Sequence, residues 1–223
     1  MAEKSAVEAI RAGDVPALRR LLESEPSLAT ARVDGARTLL HVATAWPGHF
    51  PNVAETIAVL AGAGADVDAR FAGEHAETPL HWAASTDDVQ ALDALLDAGA
   101  DIEAPGAVIA GGTALADAVA FAQWNAARRL VARGAAVEPR HAAALGLMDQ
   151  VTVSGQVELD LAFWYACHGG RREVAERLLE RGATLDWLPP WERLTPLDAA
   201  ERHGFAAVAT WLRGRGARSY KDL

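Results

Sequence analysis

A chain of 223 residues with a net charge of −9, 51% hydrophobic residues and 6% aromatic ones has room for one domain with a substantial core. Acidic residues outnumber basic ones, so no basic face stands ready to displace counterions from phosphates, and nucleic acid is not an expected partner. A single cysteine, Cys167, excludes an internal disulfide, and no run of 18 apolar residues is present to cross a membrane.

The first residues, MAEKSAVEAIRAGD, have no apolar core of signal-peptide length, and a cytoplasmic location is expected. Alanine dominates the hydrophobic fraction, leucine is regularly spaced and β-branched runs are few, which predicts helices and argues against a large sheet. Within residues 3–30, AVEAIRAGDVPALRRLLESEPSLA reads as a helix pair. A period follows. Glycines after leucine-rich runs, at Gly64, Gly99, Gly134, Gly182 and Gly216, are spaced 35, 35, 48 and 34 residues apart. Upstream of them lie similar starts: TLLHVAT at Thr38, TPLHWAA at Thr78, TALADAV at Thr113, LAFWYAC at Leu161 and TPLDAAE at Thr195.

Each unit predicts a helix, a turn, a second helix and a loop. Thr78 is an N-cap and Pro79 stands at the first helical position, where its missing N–H costs nothing. Asp87 and Asp88 favour a second helix start, Leu92, Leu95 and Leu96 form its apolar stripe, and Gly99 ends it. TPLHWAA with the later LDALLDAGADIEA resembles the ankyrin repeat, whose T-P-L-H-x-A start and period near 33 residues are specific signatures. WYACHGGRREVAERLLERGATLD resembles it too, with Trp164 where the family has histidine, and TPLDAAERHGFAAVATWLRGRGA looks like a closing repeat. The pattern is similar to bacterial ankyrin-repeat proteins.

The resemblance implies an all-α ankyrin solenoid of about seven helix-turn-helix units with finger loops, one domain over residues 1–223. It would comprise an opening repeat at 3–30, repeats starting near 38, 78 and 113, a degenerate one at 140–160, and repeats near 161 and 195. Stacked helix pairs share a core that no single pair can bury, and end repeats need a polar outer side. Arg213, standing where inner units carry Leu96 and Leu179, fits an end repeat.

The pattern breaks in three places. From His41 to Gly64 is 23 residues against 18 from His81 to Gly99, so about five are inserted within WPGHFPN, where Pro47 and Pro51 forbid a regular helix. Trp46 and Phe50 either pack this loop down, with His49 solvated, or Trp46 and His49 edge a pocket. RFAGEHAET, with Glu74, His75 and Glu77, and PGAVIAGGT, with Gly111 and Gly112, make longer fingers. The glycine pair serves either a tight turn or close approach of a ligand. Residues 140–160 begin as an inner helix and then degenerate, with Ser154 and Gly155 as breakers.

The resemblance assigns His41 and His81 a structural role at the turn. Asp117 is odder: it follows the family's histidine position, where neighbours carry Val42, Trp82 and Tyr165. A carboxylate there must be paired or hydrogen-bonded, or else serve a ligand as cation binder or base. Cys167 and His168 are adjacent and point about 100° apart on a helix, so they cannot work as nucleophile and base. No phosphate loop, dinucleotide fingerprint, nucleophile elbow or metal-ligand spacing is present, and no cofactor or metal is expected.

Two functions follow. The first is a monomeric, non-catalytic scaffold presenting a concave surface and fingers to a protein or peptide, with Trp46, His49, His75, Glu77, Trp82, Phe121, Trp124, Trp164, His168, Trp191 and His203 as binding candidates. The alternative is a small-ligand or catalytic pocket built from the 46–52 insertion, Asp117 and the inner-helix aromatics, with Asp117 and His49 as its chemistry.

Overall fold

Local chemistry at the start of each inner helix explains the fold. In the computed structural model, which describes residues 2–223, Thr38 caps helix α3 (Leu39–Thr44). Nδ1 of His41 lies 2.9 Å from Thr38 Oγ1 and accepts the Thr38 N–H at 3.3 Å, while the His41 N–H donates to Thr38 Oγ1 at 3.4 Å. The far ring nitrogen, Nε2, donates to the carbonyl of Glu77 at 3.2 Å. A carbonyl only accepts, so Nε2 carries the proton and Nδ1 is the acceptor. Thr78 and His81 repeat the arrangement in α5 (Pro79–Ser85), where Nε2 of His81 reaches the carbonyl of Gly112 at 3.3 Å. Glu77 and Gly112 each precede the threonine that opens the next inner helix, so each histidine ties its own helix to the following loop.

Two compact units divide the chain. The first runs to Ala135 and contains the helix pair α1 (Ala2–Ala12) and α2 (Val15–Ser24), then α3 with α4 (Val53–Gly62), α5 with α6 (Val89–Asp97), and α7 (Ala114–Ala120) with α8 (Trp124–Ala132). A two-residue antiparallel pair, β1 (Arg32–Val33) and β2 (Arg37–Thr38), is its only sheet among the described residues. Two of the outer helices start on aspartates: Asp14 accepts from the Ala17 N–H and Asp88 from the Ala91 N–H. The outer helices α4, α6 and α8 are followed by the glycines Gly64, Gly99 and Gly134, at φ values such as the +95° of Gly99 that a side chain would strain. Leu40, Ile57, Leu80, Leu92, Leu95, Leu115 and Leu130 are fully or almost fully buried between the pairs, each contributing about 1.5–3 kcal/mol of apolar burial.

The second unit, Ala136–Leu223, contains α9 (Pro139–Leu145), α10 (Gln156–His168) with α11 (Arg172–Glu180), and α12 (Pro196–Arg202) with α13 (Ala206–Gly214). No outer helix follows α9. A 3-10 turn at Met148–Gln150 takes its place before an irregular stretch. Ser154 marks the break, as its residue type suggests, yet α10 begins at Gln156 rather than Leu161. The Glu158 carboxylate accepts both the N–H and the hydroxyl of Ser154 and holds the helix start there. Arg213 is exposed and pairs with Glu201 at 2.6 Å, a polar outer side. The architecture is an all-α repeat fold.

Burial holds His41 and His81 down at about 4, against 6.5 for an exposed histidine. A group with a lowered folded-state value stabilises fully above 6.5, and that stability declines as the pH falls through 6.5 towards 4. Replacing His81→Ala removes both ends of the bridge and should cost about 2–3 kcal/mol at pH 7. In urea unfolding, that difference from wild type should shrink as the pH drops from 6.5 to 4.

Candidate functional site

The insertion after α3 is a clamped loop. The His49 N–H donates to Asp88 Oδ2 at 2.6 Å, and His49 Nε2 donates to the carbonyl of Thr86 at 3.0 Å. Asn52 donates from its side chain to the carbonyl of Gly13 at 2.9 Å, and a side chain at Gly13 would strike Pro51. The loop is thereby fastened to the turns of both neighbouring helix pairs. His49 is occupied in holding it. Trp46, next to the cis Trp46–Pro47 bond, is 85% exposed.

Asp117 lies elsewhere in the first unit. Its side chain is fully buried on α7. Oδ1 accepts the Ile109 N–H at a long 3.4 Å, and Oδ2 has no hydrogen-bond partner. Desolvation first, and the nearby Glu77 charge after it, push the Asp117 carboxyl up to about 7, against the opposing pull of backbone donors at Ile109 and Val108. Glu77 is 9% exposed; burial raises its carboxyl, opposed by the Trp82 indole N–H that it accepts and by the charge of His75. Trp82, half-buried, meets His41 edge-on at 4.9 Å and Phe71 at 5.3 Å. His75 is exposed on the same loop. The contacts of Asp117 (Ile109, Glu77) and those of His49 (Thr86, Asp88) have no residue in common. Phe121, closing α7, is 42% exposed, and Trp124, opening α8, is half-buried. Gly111 and Gly112 form a tight turn, in which Gly106 and Ala107 donate their N–H groups to the carbonyls of Gly111 and Gly112.

In the second unit four of the expected residues come together. Trp164 stacks on His168 at 5.1 Å and 14°, meets Trp191 edge-on at 5.9 Å, and His168 meets His203 edge-on at 4.5 Å. Placement on a binding surface is corrected for two of them: Trp164 and His168 are 2% and 1% exposed. The α10 backbone turns their side chains into the packing of this unit, and the Trp164 indole N–H donates to the carbonyl of Leu194 at 2.9 Å. Leu194 precedes Thr195, so Trp164 does here what His41 and His81 do in the first unit. Trp191 is 53% exposed and His203 half-buried, with the His203 ring pushed down by burial. Cys167 is fully buried, its thiol pushed up by desolvation, which leaves it a small core residue.

One residue of interest escaped the sequence reading. His141, 3% exposed, stands in EPRH, the counterpart of TPLH at 78–81, and that alignment was the available signal. Arg140 Nε donates to His141 Nε2 at 3.3 Å, so Nδ1 carries the proton, and it has no hydrogen-bond partner. Glu138, without a hydroxyl, stands at the N-cap position of α9 in place of threonine, and its side chain makes no capping bond. By sequence position the counterpart of Glu77 and Gly112 is Asp160, which lies inside α10, where a backbone carbonyl bonds within the helix.

Among the described residues, no group of three or more His, Cys, Asp or Glu side chains is placed to hold a metal ion, and no helix is long and apolar enough to cross a membrane. The family model of the ankyrin repeat matches residues 76–107, which span α5, α6 and the loops on either side. No curated protein matches the chain.

Exposure separates the aromatic candidates energetically. In urea unfolding, Trp46→Ala should change stability by no more than about 0.5 kcal/mol, whereas Trp164→Ala should cost about 3–5 kcal/mol.

Proposed function

We propose that this chain, which matches the ankyrin repeat over residues 76–107, works as a non-catalytic scaffold whose loops engage a protein or peptide partner, with Trp46 as the principal anchor. The observation that carries this reading is a tryptophan 85% exposed on a loop clamped by His49 and Asn52. An aromatic ring left in water gains more than other side chains when a partner covers it, and tryptophan is enriched among the residues that dominate interface energetics. The clamps hold the loop backbone before binding, so little further ordering is required of it. Phe121 in the first unit and Trp191 in the second offer further exposed rings, each on its own unit. Trp124 opens the outer helix after Phe121. A net charge of −9 favours a partner with basic patches through long-range steering.

The pocket reading draws on the buried Asp117 carboxyl. It would require His49 and Asp117 to face a common ligand, and their separate sets of contacts favour the scaffold instead.

Affinity capture from an extract of the native host, followed by mass spectrometry, tests the proposal when wild type and Trp46→Ala are compared at equal folded concentration. A protein retained by wild type and reduced at least tenfold on Trp46→Ala is expected. Equal retention by both, or a bound small molecule and no protein, would reject it.

A further inference from the structure

The acidic pair beneath the finger loops has no structural counterpart at the equivalent positions of the other helix pairs. Position 117 follows the slot filled by His41 in α3 and His81 in α5, and the corresponding side chains are Val42 and Trp82. Asp117 brings a carboxylate to that site with no exposure and with one oxygen lacking any partner. The hydrogen bond it accepts from the Ile109 N–H is long, and the Val108 N–H also pulls on the carboxyl. Glu77, itself buried, adds a second carboxyl from the preceding loop. A pair of buried carboxylates cannot both be charged at low cost, and an ionised Asp117 with a bare oxygen costs still more.

Above this carboxyl sits a closely fitted loop. Arg70 Nη1 donates to the carbonyls of Ala76 and Pro105, and so joins the two fingers. Gly106, at φ +125°, comes so near the Ala76 carbonyl that an added Cβ would strike its oxygen. The turn then closes on itself, and His81 holds Gly112 from below. At its centre, the Ile109 amide points at Asp117. Charge on Asp117 therefore bears directly on a closely packed loop.

We infer that Asp117 is a proton-operated latch: protonated, it lets the 105–112 finger close over it, and ionised, it drives that finger open. Such a latch would decide whether the finger is presented to a partner in one fixed shape. Its response is measured without any partner, so it stands or falls separately from the scaffold reading.

The other charged groups around α7 do not supply the missing compensation. On α5 the facing group is His81, held neutral by burial and engaged with Gly112. On the preceding finger stand Arg70, which is committed to backbone carbonyls, exposed His75, and Glu77, which adds repulsion. On α8, Arg128 and Arg129 are exposed, and Arg129 pairs with Asp93.

The sign follows from the raised carboxyl. With about 7 in the closed form and 3.8 when freed, the closed loop binds the proton more tightly. Closure is therefore favoured fully below 3.8, weakens as the pH rises, and reaches a constant level above 7. Amide hydrogen exchange of residues 106–112 in the full chain, corrected for intrinsic rates, reads the latch. Protection should fall about tenfold per pH unit from pH 5 to pH 6 and flatten above pH 8. Asp117→Asn should keep its protection at high pH and lose the slope, and Glu77→Gln should move the plateau to lower pH. A carbon-13 titration of the Asp117 carboxyl in wild type gives a check free of any folding defect in the variants. Titration near the ordinary aspartate value, or a slope that survives in Asp117→Asn, would overturn the proposal.

Discussion

A single hydrogen-bonded relay underlies this fold. The third residue of an inner helix closes its own N-terminal turn and reaches forward to the carbonyl just before the next inner helix. His41 does so to Glu77 and His81 to Gly112, while Trp164, inside the longer α10, makes only the forward bond, to Leu194. The helices concerned are short, and helices of six or seven residues are not stable alone. Their caps and their neighbours hold them. The relay supplies both through one ring whose two polar ends are chemically different, so that each pair orders the loop on which the next pair is built.

The chain provides its own comparisons for that relay. In α12, Asp198 takes the position: its Oδ2 accepts both Thr195 donors at 2.9 Å and also the Tyr220 N–H at 2.8 Å. A carboxylate suits the last pair because what arrives there is an amide of the closing segment, a donor, where earlier pairs meet a carbonyl. In α9 the position keeps its histidine, but the early start of α10 places the counterpart carbonyl, by sequence position, inside a helix, and the ring's free N–H stays buried without a partner. In α7 it is Ala116, and the polar group has moved one residue on to Asp117. Where the relay lapses, in α7 and α9, Asp117 and His141 each keep a buried polar atom without a hydrogen-bond partner. The two departures act in opposite directions with pH, since buried neutral histidines lose stability in acid and a buried neutral carboxyl gains it.

In the proposed scaffold, function is carried by what is added to the repeat. Regular positions are committed to packing, which is why Trp164 and His168 lie inside the second unit and not on its surface. The 46–52 insertion has no such duty. His49, Asn52 and Pro51 anchor it between two neighbouring turns, and Trp46 is left in solvent on a fixed backbone. Rigid attachment with an exposed ring is the combination that an interface anchor needs.

Sequence alone determined the repeat, the helix pairs, the capping threonines, the terminating glycines and the place of the insertion, because each depends on contacts a few residues apart that recur at a fixed period. It also singled out Asp117, since a carboxylate at an apolar repeat position is visible without coordinates. Tertiary structure decided the rest. Whether a tryptophan is a core bridge, as Trp164 is, or an exposed ring, as Trp46 is, depends on which neighbouring loop supplies an acceptor. His49 turned out to hold a loop and His141 to lack its partner for the same reason. A hydrogen bond between pairs joins residues some thirty to forty positions apart, and the register of that meeting is set by packing, which no local pattern records.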